Sequence, residues 1–122
     1  MARPTISPAL AADIYGNLHC TKMTLVADSY YGPTSLWFTL VEPMTRKDLL
    51  AEIRERKGIA ERYGDEPWTF GAKDIIDRER IDGKVKTFQI KADLEGGCTK
   101  LIWSYLRCAF HDPAYKDNNI LG

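Results

Sequence analysis

At 122 residues, with 44% hydrophobic and 28% charged side chains, the chain carries enough apolar surface for one core and is neither fibrous nor disordered in composition. Its 17 basic residues balance 17 acidic ones, which excludes a surface built wholly for phosphate backbones and equally a strongly acidic mimic of nucleic acid. Three cysteines, Cys20, Cys98 and Cys108, are too few for a disulfide framework and are expected to be free thiols in a reducing, cytoplasmic compartment.

The segment from Met1 to Thr5 has no sustained apolar stretch of the kind a signal peptide needs, and no later run approaches a membrane span, so no membrane association is expected. A single domain over 1–122 is expected, with 1–17 as an N-terminal arm and 114–122 as a polar tail. Within the arm, Ala9 to Tyr15 is a short apolar piece that forms one or two helical turns or simply lies on the core.

Leu18 to Val26 alternates and is rich in β-formers, which predicts a strand. Asp28 to Pro33 breaks it. Thr34 to Val41 is nearly all apolar and predicts a strand covered on both faces, paired antiparallel with the first and ended by Glu42-Pro43-Met44. Thr45 followed by Asp48 resembles a capping box, with Met44 and Leu49 placed for a hydrophobic staple. The helix that starts there buries Leu49, Leu50 and Ile53, turns Arg46, Glu52, Glu55 and Arg56 outward, and meets a stop signal at Gly58. Ile59 to Tyr63 adds at most a further turn before Gly64 to Pro67 interrupts the pattern.

Trp68 to Phe70 is read as a short strand. Asp82-Gly83, flanked by Ile75 to Ile81 and Lys84 to Lys91, is the strongest local signal in the chain. The pair supplies both positive-φ positions of a type I′ turn and so predicts a two-residue β-hairpin. Its register sets Ile81 opposite Lys84, Arg80 opposite Val85, Glu79 opposite Lys86, Asp77 opposite Phe88 and Ile75 opposite Ile90. Apolar pairing is thus expected only at the base, and the charged end reads as a projecting arm. Cys98 to Phe110 fits a helical face through Leu101, Ile102, Tyr105, Leu106 and Ala109, and its length favours helix over strand.

These elements predict an α+β fold: an antiparallel sheet of about four to five strands with one or two helices packed on one face. The alternative is a mostly β barrel or sandwich with one helix, in which residues 98–110 form a central strand.

Candidate chemistry is sparse. Cys98 follows Gly96-Gly97, where a helix N-terminus lowers a thiol pKa, and this is the basis for a small cysteine-dependent enzyme with His19 or His111 as base. His19, Cys20, Cys108 and His111 are soft ligands, but adjacent His-Cys is not zinc-hairpin spacing, and no metal or cofactor is expected. Asp65, Glu66, Asp74 and Asp77 sit beside turn signals or charged partners and read as solvated loop. No phosphate loop, dinucleotide fingerprint, nucleophile elbow or calcium loop is present.

The expected activity is therefore a non-catalytic interaction module that binds or inhibits another macromolecule, a protein above all. Its partner-binding residues are Tyr30 and Tyr31 in a loop and Arg78, Arg80, Lys84 and Lys86 on the hairpin. Glu52, Glu55, Asp77, Glu79 and Asp82 offset the basic field, which fits a protein better than the alternative partner, single-stranded nucleic acid or a nucleotide. A homodimer is also open, through the hairpin edge and the apolar surface of 101–110 with Trp103 and Phe110.

Overall fold

The computed structural model describes residues 4–27, 34–64, 68–94 and 108–111. Tyr30, Tyr31, Cys98, Trp103 and the 114–122 tail lie outside the described residues. The elements run β1 (Thr5–Ile6), α1 (Pro8–Asn17), β2 (Cys20–Ala27), β3 (Thr34–Met44), α2 (Arg46–Arg62), a 3-10 turn (Ala72–Asp74), β4 (Ile75–Ile81), β5 (Lys84–Ile90), β6 (Asp93–Leu94) and β7 (Cys108–His111). The main sheet has the order β4-β5-β3-β2-β7. Its first four strands are antiparallel to their neighbours, and β7 adds in parallel to β2. A small parallel pair, β1 with β6, forms a second sheet whose Ile6 and Leu94 join the hydrophobic core. The fold is α+β, with helices on one face of an open sheet.

Alternation along β3 decides which face is covered. Leu36, Phe38 and Leu40 are buried, as are Phe88 and Ile90 opposite them, and α1 contributes Leu10, Ala11 and Ile14 while α2 contributes Leu49 and Ile53 to the same cluster. The N-terminal stretch is thus a ten-residue helix anchored in the core. Its start is set by Ser7, whose Oγ accepts from Leu10 N at 3.1 Å, with Pro8 in the first turn.

Sequence and structure part at several places. β3 is covered on one face only: Leu36, Phe38 and Leu40 are buried and Val41 is exposed. β3 continues through Pro43 to Met44, because pairing with β2 has ended by then and the register to β5 shifts between Thr39 and Met44, where a missing N–H is tolerated. Trp68 to Phe70 forms no strand; both aromatics are simply buried. The glycine at 58 does not stop α2, which runs four residues further to Arg62 while Ala60 packs on the core, and the left-handed glycine past its end is Gly64, at φ +87°. Among the described residues the second helix on the sheet is α1. Cys108–His111, which takes in the described end of the 98–110 segment expected to be helical, is strand, because β2 offers a free edge whose backbone groups need partners. The helix start is as expected: Thr45 Oγ1 accepts from Asp48 N at 3.1 Å.

Gly58 occupies a helix interior with open space where a Cβ would stand, so Gly58→Ala should meet no steric penalty. It is expected to raise stability by about 0.5–1 kcal/mol through helix propensity alone, read as a higher urea midpoint at unchanged m-value.

Candidate interaction edge

The hairpin forms as its turn chemistry dictates. Asp82 and Gly83 have φ of 52° and 78°, and Ile81 pairs with Lys84, Arg80 with Val85, Asp77 with Phe88 and Ile75 with Ile90. One pairing differs: Glu79 lies opposite Thr87 rather than Lys86, across an irregularity between Asp77 and Arg80. The hairpin is also no free arm. β5 pairs on its other side with β3 as far as Val85 opposite Met44, and Val85 is buried, so the core extends almost to the turn. β4 is the strand left at the sheet edge.

The charges along this edge are tied down in an orderly way. Asp77, on the helix side of the sheet, receives Arg46 from the start of α2 at 2.7 Å and Arg80 from its own strand at 2.5 Å. Arg46 also donates to Ala72 O at 3.2 Å. On the opposite face Arg78 donates to Gln89 Oε1 at 2.7 Å and lies over the Trp37 ring at 4.9 Å, a cation–π stack. Lys86 is half-buried and donates to Val41 O at 2.9 Å, while Thr87 donates to Glu79 Oε1 at 3.0 Å.

Of the sequence-selected residues, Arg78, Arg80 and Lys86 therefore have internal partners, and Lys86 is not the free-standing cation that its position in the sequence implied. Lys84 is exposed and has no partner among the described residues. Beside it stands Ile81, 43% exposed, which the sequence reading passed over. Its signal was available: an isoleucine directly before a type I′ turn has no cross-strand apolar partner in the predicted register. Asp77 was also missed as the organising group, since Arg46 lies 31 positions away in sequence.

The soft-ligand set separates. His19 is exposed in a turn at φ 54°, whereas Cys20 is buried and its Sγ faces Ile14 O at 4.0 Å. Burial pushes the Cys20 thiol up to about 12. Backbone register sets Cys108 beside Met23 and His111 beside Val26, three and six residues along β2 from Cys20. Among the described residues no group of three or more His, Cys, Asp and Glu side chains is placed to hold a metal, and no helix is long and apolar enough to cross a membrane.

Searches against protein-family models, curated proteins and solved structures returned no match for this chain.

Three measurements check these placements. Asp77→Ala releases two arginines that can reach solvent, so a moderate loss of about 1–2 kcal/mol is expected in urea unfolding rather than collapse. Cys20 should resist iodoacetamide at pH 8 in the native state. Because its folded pKa lies above the 9.0 of an ordinary thiol, its contribution is intact below pH 9 and is lost as pH rises towards 12. Wild type should lose up to about 1.4 kcal/mol per pH unit there relative to Cys20→Ala.

Proposed function

We propose that the chain is a non-catalytic module that binds another protein through the β4 edge and the hairpin turn at its end. The observation that carries this reading is the combination at one place of a sheet edge, unpaired on its outer side among the described residues, with exposed Ile81 and unpartnered Lys84 at its tip. An edge strand presents backbone N–H and C=O groups to an incoming strand, and the charged side chains along β4 discourage indiscriminate pairing. Ile81 supplies an apolar anchor, and Lys84 a cation for an acidic group on the partner.

The same geometry favours protein over a phosphate backbone. Arg80 is paired with Asp77, Arg78 and Lys86 are held in place by Gln89, Trp37 and a main-chain carbonyl, and Glu79 and Asp82 alternate with these cations along the hairpin, which leaves a field of mixed sign. Tyr30 and Tyr31 belong to the proposed contact set by their sequence character alone.

The test is quantitative affinity capture from a lysate of the encoding organism with the full chain as bait. Ile81→Asp with Lys84→Glu should reduce recovery of the captured protein about tenfold or more, while Lys47→Glu on the exposed surface of α2 leaves it unchanged. Equal recovery by all three proteins, each with an unchanged urea midpoint, rejects the edge as the binding surface. Binding to a single-stranded oligonucleotide that falls steeply with added salt would instead support the nucleic-acid reading.

A further inference from the structure

We propose that the cleft between the C-terminal half of α2 and residues 70–75 is a binding site for a small apolar carboxylate. The cleft holds about 290 Å³. That is close to the lower end of ligand pockets, which run from about 300 to 1,000 Å³, and it suits a ligand of modest size. Leu50, Ile53, Phe70 and Ile75 line it, and the last three belong to the buried core, so its apolar lining is fixed by the fold.

Two glycines open the walls. Gly58 and Gly71 both line the cleft, and a Cβ on either would meet nothing within 4 Å. Neither has a positive φ that would require glycine. At position 58 glycine costs the helix about 1 kcal/mol relative to alanine with no steric return within the protein. Its physical effect is to keep that wall low beside an apolar lining.

The charge at the cleft selects the ligand class. Lys57 is fixed rather than free: its Nζ donates to Phe70 O at 2.6 Å and stands 4.4 Å from the centroid of the Phe70 ring, which brings an ammonium to the apolar lining with further N–H groups to offer. Arg54 is exposed and has no partner among the described residues. Glu61 is the one acid among the lining residues, so two cations face one carboxylate. An occupant with an apolar body and one anionic group matches both the lining and the sign of the charge.

Octanoate, 1-octanol and acetate, titrated separately into the full chain and followed by amide chemical shifts, test this. Octanoate should bind saturably, one to one, with shifts at residues 54–58 and 70–72. Octanol, with the same body and no charge, should bind at least threefold more weakly, and acetate should give no saturable shift. Gly58→Leu fills the cleft and should weaken octanoate about tenfold or more. Arg54→Gln, a surface change that leaves the fold intact, should weaken octanoate roughly threefold or more without affecting octanol. No saturable octanoate binding, octanol bound as tightly as octanoate, or octanoate binding unchanged in either variant overturns the proposal. These titrations use the protein alone, so their outcome is separate from that of the capture experiment.

Discussion

The stacked pair of Phe38 and Phe88 is the contact on which the architecture depends. These residues lie directly opposite each other on β3 and β5, with ring centroids 5.0 Å apart and planes inclined by 15°, and both are fully buried. In this register Leu36 and Ile90 lie opposite each other and face the helices, while Thr39, Thr87 and Gln89 occupy the other side of the sheet. A slip of one residue would exchange the two sets and bring the threonines and the glutamine into the core. β5 is bound on one side to β3 by this pairing, so the tight Asp82-Gly83 turn leaves β4 only the outer position. The edge strand is a consequence of the core.

Asp77 then organises that edge. Its carboxylate is largely shielded and joins two arginines of different origin, one from the start of α2 and one three residues along its own strand. Pairs of this exposure contribute little stability each, so the main effect is positional. Arg46 ties the first turn of α2 to the root of β4 and, through Ala72 O, to the turn before it. Arg80 is drawn back along the strand. The tip is left with Ile81 and Lys84, an apolar group beside a cation that has no partner among the described residues.

What the sequence made legible is what local chemistry decides. The type I′ turn and the Thr45 cap each act within a few residues, and both are present as read, whereas β3, expected to be covered on both faces, buries Leu36, Phe38 and Leu40 on one and leaves Val41 exposed on the other. The errors have a common cause in tertiary context. Gly58 looks like a helix terminator until the next turn of helix packs Ala60 on the core. Pro43 ends a strand only where both neighbours still need its N–H. Residues 108–111 carry a pattern compatible with either structure, and the unpaired edge of β2 decides between them. The candidate site suffered in the same way. Charge and turn signals located the hairpin, but its arginines were claimed by Asp77, Gln89 and Trp37, partners that only the folded sheet assembles.

The edge and the cleft share one residue, Ile75, the first of β4 and part of the cleft lining. Sharing does not by itself couple them, since coupling needs an element with two arrangements that both occupants bias. The segment between the sites argues for a fixed arrangement. Gly71 N donates to Asp74 Oδ2 and Asp74 N donates to Gly71 O, both at 2.9 Å, while Lys91 N reaches Asp74 O at 2.8 Å and Arg46 holds Ala72 O. A turn pinned by its own cap, by β5's continuation and by α2 has no second packing to adopt at low cost. The cleft wall is preformed, which would lower the cost of binding there, and a wall with one arrangement offers no route for coupling an occupant of the cleft to one of the edge.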